Sequence, residues 1–535
     1  MREGMIHVEL TEEVLRFPKR MRDLNEKAVI ATIAQIKASQ AFFNGFWQYY
    51  FDFMAPFWVA MNSFLVMEKV KIGQYTPEDT VRDYLELFQF NLQIAKKGVI
   101  SSLRSANEYH SREWERSFAA VLNTWVGTEG PDILDYSERK ARLFEALVYE
   151  YAREIRDIAP EFGFHFDDGG GELVAETDRF LLYQVFPTDH AVKTRKNGKP
   201  VLIIPPYVLG ANILAFLPGE GKSYTHAFAN QGIPTYVRIM KDFETTPALA
   251  VMTGEDDALD TRVFCEAIMK RHGRPVTLNG YCQGGFVAVL DILCGELDGM
   301  VDALITCVAP MDGTESQSLV EYLEHIPPRF RDLGYALKAL PDGREVVDGK
   351  VMSWVYKLKS MEKESPIQSF YRDLMIFDRP DNREAKITKT AAALNHWLVY
   401  ERNDLPPAIT QLSFDSYTIP VSKDGTLPVK LFGRELNFRG IPERDMPWLL
   451  CYGAQDDLVN PEAALAPQKY IDVEVSEFPR GHGAIATSWS HPASECALHT
   501  VFGKGYRGPV RFHLDLEAAQ EAQRGVSGRP RRKKR

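Results

Sequence analysis

The sequence predicts an α/β fold, a mostly parallel sheet covered on both faces, carrying a helical cap insertion and preceded by an all-α N-terminal region. Three observations predict it. Before about Ala159 the apolar positions recur at three and four, the helical spacing. Beyond Lys199, short apolar runs bounded by turn residues alternate with helical stretches. Between about Gly313 and Pro442 that alternation breaks, which marks an insertion.

The helical region begins near Thr11. Its clearest element follows the cap signal Thr76-Pro77-Glu78-Asp79 and places Tyr84, Leu87, Phe88, Phe90, Leu92 and Ile94 along an amphipathic helix. Upstream, Ala41 to Met67 carries Asp52 as its only charge and crowds aromatics at Phe42, Phe43, Phe46, Trp47, Tyr49, Tyr50, Phe51, Phe53, Phe57 and Trp58. Asn44, Gln48, Pro56 and Asn62 argue against a bilayer span. So much apolar surface needs cover, and two covers are open: a granule or membrane surface, or protein, either the rest of the chain or a second subunit in a homodimer.

Asp167-Asp168-Gly169-Gly170-Gly171 reads as a flexible junction, and the strand candidates follow it: Val201–Ile204, Thr235–Ile239, Val276–Asn279, Ala303–Val308, Trp448–Tyr452 and a last one through Val473, Val475 and Phe478. The expected organisation is a helical domain over 1–170, a core split between 171–312 and 443–515, the insertion at 313–442, and a basic tail at 516–535.

Composition excludes some functions. The 535 residues hold 63 Lys and Arg against 73 Asp and Glu, a net charge of −10, and the tail Arg529-Pro530-Arg531-Arg532-Lys533-Lys534-Arg535 concentrates positive charge that the remainder lacks. Such a chain repels a polyanion, so no nucleic-acid partner is expected. The cysteines at 265, 282, 294, 307, 451 and 496 have no spacing that suits zinc or a disulfide framework, so no metal site is expected and the thiols read as reduced, in the cytoplasm. Met1-Arg2-Glu3-Gly4-Met5-Ile6 lacks the order of a secretory signal, which again points to the cytoplasm.

The chemistry centres on Gly280-Tyr281-Cys282-Gln283-Gly284, a G-x-C-x-G turn between the strand at Val276 and a helical run starting at Gly285. This is the context of a nucleophile elbow, with cysteine in the usual place of serine. The fold that uses such elbows, the α/β-hydrolase fold, then needs an acid and a histidine in that chain order. Asp456 follows the strand at Trp448, with Asp457 as the rival. His482, in Arg480-Gly481-His482-Gly483, follows the last strand as candidate base, with His491 as the rival. The oxyanion hole would use the backbone N–H of Gln283 and one from Tyr207 or Val208, because Pro205 and Pro206 have none to give. Gly219-Glu220-Gly221-Lys222-Ser223 imitates the end of a phosphate loop, but Phe216 stands where the pattern needs glycine.

From Lys199 to Pro492 these features resemble the poly(3-hydroxyalkanoate) synthases: Pro205-Pro206 after an early strand, the cysteine box Gly280 to Gly285, the Gly-x-x-Asp turn at Asp456, and Gly481-His482. The resemblance implies an acyltransferase that takes (R)-3-hydroxyacyl-CoA as substrate, needs no other cofactor, works on Cys282 with His482 and Asp456, and meets its polymer at a granule surface or the inner membrane. The chain departs from the family at Tyr207, where tryptophan is usual, at Met240 to Thr246, and at Asp457, where histidine is usual. The doubled Asp456-Asp457 is similar instead to intracellular polyhydroxyalkanoate depolymerases, so a depolymerase or thioesterase is the alternative, and a non-catalytic granule- or membrane-associated protein a third.

Overall fold

The computed structural model describes residues 2–71, 73–324, 326–352, 365–378 and 386–489; His491, Cys496 and the basic tail lie outside them. The described parts of 1–58, 88–157 and 356–392 form one compact unit, and those of 59–87, 158–355 and 393–489 a second.

Two long helices dominate the N-terminal sequence, α1 (Arg2–Lys71) and α2 (Pro77–Val126), followed by α3 (Ile133–Glu145). The Thr76 hydroxyl accepts from the Asp79 N–H at 3.1 Å, so the cap signal does open α2, with Pro77 in the first-turn position that costs no hydrogen bond. In the first unit Ala38 and Ala41 of α1 join Leu143, Leu147, Phe370 and Leu374 in a buried core. Gly45 is small because a methyl group there would press on Val148 and Phe370. The aromatic stretch is shared out by helix face. Phe42 meets Phe144 and Phe370 edge-on, and Tyr49 donates to Asp373 at 2.8 Å. On another face Phe43, Trp47 and Phe51 are exposed at 62%, 51% and 61%. Protein therefore covers part of this segment, and part is open. Among the described residues no helix is long and apolar enough to cross a membrane.

The second unit is built on an eight-stranded sheet, its strands in the spatial order β1-β2-β4-β3-β5-β6-β11-β12. These are β1 (Gly171–Glu176), β2 (Phe180–Val185), β3 (Val201–Ile204), β4 (Thr235–Met240), β5 (Val276–Tyr281), β6 (Val301–Cys307), β11 (Trp448–Gly453) and β12 (Glu474–Phe478). β2 runs antiparallel to both neighbours and the remaining pairs from β4 to β12 are parallel, the α/β-hydrolase arrangement. β3 and β5 are buried along their whole lengths, as strands covered on both faces must be.

Two features differ from the expectation. The glycines at the junction form a tight turn: a side chain on Gly170 would strike the His165 carbonyl, and one on Gly171 the Gln184 carbonyl. The insertion holds helices such as Pro366–Phe377 and Pro407–Thr418, but also two hairpins, β7 (Leu337–Ala339) with β8 (Glu345–Val347) and β9 (Thr426–Leu431) with β10 (Arg434–Asn437). Strands this short give periodicity too little to register, although Gly343 and Gly433, both in the left-handed region, supply the turns.

Register sets the edge where chemistry can gather. Ile204 of β3 pairs with Gly280 of β5, Tyr281 with Cys307 of β6, Cys307 with Cys451 of β11, and Gly453 with Phe478 of β12. The segments leaving β3, β5, β11 and β12 therefore leave side by side.

Candidate active site

Between β5 and the helix Gln283–Leu293, Cys282 sits at φ 52° and ψ −125°, a conformation that costs a residue with a Cβ on the order of 1–3 kcal/mol. The surroundings enforce it. A side chain on Gly280 would overlap Gly285, one on Gly284 the carbonyls of Ile204 and Pro205, and one on Gly285 the Ala309 methyl. The Cys282 N–H is tied to the Cys307 carbonyl at 2.8 Å. Cys282→Gly relieves the strain and is expected to raise unfolding stability by about 1 kcal/mol net of its added chain entropy, where Cys282→Ala does not. Urea midpoints of the two variants check this.

The turn after β11 is fixed by its own backbone. The Ala454 N–H bonds the Phe478 carbonyl at 2.6 Å and the Gln455 N–H the Arg480 carbonyl at 3.3 Å, which holds this turn against the segment leaving β12. Asp456 is buried there. One carboxylate oxygen accepts from the N–H groups of Leu458 and Val459, both at 2.9 Å, and the other meets His482 Nδ1 at 2.8 Å. Asp457, one residue on, is exposed. From the elbow, the Tyr281 hydroxyl donates to the His482 carbonyl at 2.8 Å, and its ring lies edge-on to the imidazole.

His482 Nε2 is buried, and Cys282 acts electrostatically on the ring. Burial pushes the imidazole pKa down, but the electrostatic influence of Asp456 and Cys282 on the ring, with the hydrogen bonding they offer, outweighs it and holds the pKa well above the ordinary 6.5. A group whose folded pKa is raised stabilises the fold fully below its unfolded value and loses that contribution as pH rises through the folded value. The stability advantage of the wild type over His482→Gln is therefore expected to be largest near pH ~6 and to shrink toward pH ~9. Denaturant titrations across that range check it; an advantage that grows with pH contradicts it.

Gln283 opens its helix, where a first-turn N–H has no partner within the helix. Across from it, the carbonyls of Tyr207 and Val208 are held by the Asn403 side chain at 3.4 Å and backbone N–H at 3.3 Å, while the N–H groups of Tyr207, Val208 and Gln283 donate to no protein group among the described residues. The buried Tyr207 hydroxyl donates to Asp257 and accepts from Arg238 at 3.2 Å; Arg238 pairs with Asp257 at 2.8 Å and lies 4.2 Å over the Phe180 ring. An ion pair removed from water thus anchors the loop that carries two of the three candidate donors. Pro205, Pro206 and Tyr207 also border a cavity of about 230 Å³ with Phe164, Phe180 and Arg238; Cys282 does not line it. Ser223 of the false phosphate loop accepts from the His226 N–H at 3.2 Å and serves as a helix cap.

The structure thus brings Cys282, His482 and Asp456 together, with Gln283, Tyr207 and Val208 on neighbouring segments. It leaves Asp457 at the surface, and His491 falls outside the described residues. Sequence reasoning missed Tyr281, Arg238, Asp257, Asn403 and Ser413, whose hydroxyl accepts from the Gln283 amide nitrogen at 2.6 Å. For Arg238 a signal existed, a cation in an apolar strand, which demands a buried partner.

Solved structures similar to this chain include a carboxylesterase from Bacillus subtilis, at 10% identity over 63% of this chain and 93% of that one with a TM-score of 0.30. An esterase from Rhodococcus sp. ECU1013 matches at 12% over 67% and 99%, TM-score 0.29. An α/β-fold hydrolase from Bacillus anthracis str. Sterne matches at 10% over 59% and 94%, TM-score 0.32. No family model matches the chain, and no curated protein does.

Proposed function

We propose that this chain is a cysteine-dependent acyltransferase of the polyhydroxyalkanoate synthase type, acting on (R)-3-hydroxyacyl-CoA. The observation that carries the reading is a cysteine held at φ 52° on the elbow beside a histidine whose far nitrogen is bonded to a buried carboxylate. In this reading His482 Nε2 takes the Cys282 thiol proton and Asp456 stabilises the imidazolium. The thiolate attacks the thioester carbonyl, and the N–H groups of Gln283 and of Tyr207 or Val208 hold the oxyanion. Collapse expels CoA thiolate, which takes the proton from His482. A hydroxyl of the growing chain, deprotonated by the same imidazole, then attacks the acyl-cysteine, forming an ester and freeing Cys282.

Asp457, where the synthases usually have histidine, favours one second reading: water as the acceptor, as in a depolymerase or thioesterase. Incubation with 3-hydroxybutanoyl-CoA, following CoA release and product size together, tests both. Released CoA with polymer supports transfer, and released CoA with free hydroxy acid supports hydrolysis. Absence of CoA release, with no labelling of Cys282 by thiol-reactive acyl analogues, leaves the non-catalytic role.

The reading places the enzyme in the cytoplasm, with the exposed Phe43, Trp47, Phe51 and Trp58 meeting a granule or membrane surface. Full-length protein is expected to co-sediment with polymer granules or anionic vesicles, and substitution of these four residues by serine to leave it in the supernatant. Wild-type protein that stays in the supernatant contradicts the surface role.

A further inference from the structure

The base reaches the elbow across two strands. β5, which runs into Cys282, and β12, which precedes His482, are separated in the sheet by β6 and β11. Adjacent strands lie about 4.8 Å apart, so three spacings put roughly 14 Å between the two strand ends, and the segment leaving β12 must lean back over both intervening strands. That segment is not stiff at the base itself. Gly481 and Gly483 flank His482, and glycine restricts its backbone less than any other residue. Asp456 holds the ring at Nδ1. A hydrogen bond at one nitrogen leaves the imidazole free to pivot about that contact, and Nε2, on the far side of the ring, moves furthest.

Tyr281 supplies a second point of attachment. It is the last residue of β5, next to Cys282 in the chain, and 3% exposed. Its hydroxyl donates to the His482 carbonyl at 2.8 Å, and the backbone of Ala486 offers a hydrogen bond to the same oxygen. One phenol thus joins two backbone groups, four residues apart, in the segment that carries the base. The ring itself is braced: it meets the imidazole edge-on with centroids 6.4 Å apart, and the Tyr224 ring edge-on at 5.8 Å. The Tyr224 hydroxyl in turn donates to Asn279 of β5 at 3.0 Å. The donor is therefore fixed to the strand that presents the nucleophile, while its acceptor belongs to the backbone of the base.

We propose that Tyr281 is a positioning residue, which holds the His482 carbonyl to the end of β5 and so sets the reach of His482 Nε2 toward the Cys282 thiol. This rests on the proton transfer from Cys282 to His482 in the proposed function, and adds the group that keeps the two in place.

The experiment compares the wild type with Tyr281→Phe, which keeps the ring and removes the donor. With 3-hydroxybutanoyl-CoA, kcat is expected to fall by about tenfold while KM stays within about twofold, because the base is displaced and the oxyanion loop is untouched. Alkylation of Cys282 by iodoacetamide at pH ~7, followed at that cysteine by peptide mass spectrometry, is expected to slow by about fivefold, since the thiol loses the base that takes its proton. Replacement of Tyr281 by 4-aminophenylalanine, which keeps the ring and a weaker donor, is expected to give a fall of about threefold in both rates. A lower melting temperature with both rates within about twofold of wild type assigns Tyr281 to packing alone and overturns the proposal. Should Tyr281→Phe lose cooperative unfolding, the 4-aminophenylalanine protein decides, and rates equal to wild type there overturn it. Alkylation needs no acyl-CoA, so a wild type that releases no CoA contradicts the proposed function while the alkylation ratio still tests the positioning.

Discussion

Cys282→Ala is expected to abolish CoA release from 3-hydroxybutanoyl-CoA, by about 10⁴-fold or more, with no loss of fold. In the proposed reading the thiol carries the acyl chain, and its removal leaves the oxyanion donors facing a substrate without a nucleophile. Stability is expected to stay within about 1 kcal/mol of wild type, because the strained backbone is held by Gly280, Gly284 and Gly285, which the substitution does not touch. Cys282→Ser is also expected to be severely impaired, since a hydroxyl ionises far less readily than a thiol near neutral pH. Single-turnover CoA release and thermal melting check the pair, and near wild-type release by Cys282→Ala removes the proposed function.

Asp456→Asn is expected to lower turnover by roughly 10³–10⁴-fold, His482→Ala by at least as much, and Asp457→Asn by no more than about twofold. The asymmetry between adjacent aspartates follows from their surroundings. Asparagine at 456 can still accept from Leu458 and Val459 through its oxygen, so the turn survives, but its NH₂ then faces His482 Nδ1 and forces the wrong tautomer. Asp457 is exposed, so solvent screens its charge. Kinetics on the three variants, with melting curves as the folding control, check this; a larger defect in Asp457→Asn moves the acid one residue along and breaks the proposed triad.

What depends on neighbours along the chain was legible in the residues alone. A strand running into Gly280-Tyr281-Cys282-Gln283-Gly284 specifies a strained turn because the clashes that enforce it act within and just beside that segment. Thr76 before Pro77 specifies a helix start for the same local reason, and the parallel core is legible because a strand such as β3, covered on both faces, reads as an unbroken apolar run. The antiparallel pair β1 and β2 at the sheet edge lacks that signature and escaped notice.

What depends on register between distant segments emerged only with the folded sheet. Asp456 and Asp457 are chemically identical in sequence; in a turn held to the β12 segment by hydrogen bonds from Ala454 and Gln455, one is buried against His482 and the other is exposed. Tyr281 with His482, Tyr207 with Asp257 and Arg238, and Gln283 with Ser413 lie 201, 50, 31 and 130 residues apart, so no local pattern encodes them. Sterics and turn chemistry act over a few residues and leave a mark in the sequence, whereas hydrogen bonds across the sheet edge exist only once the strands have taken their order.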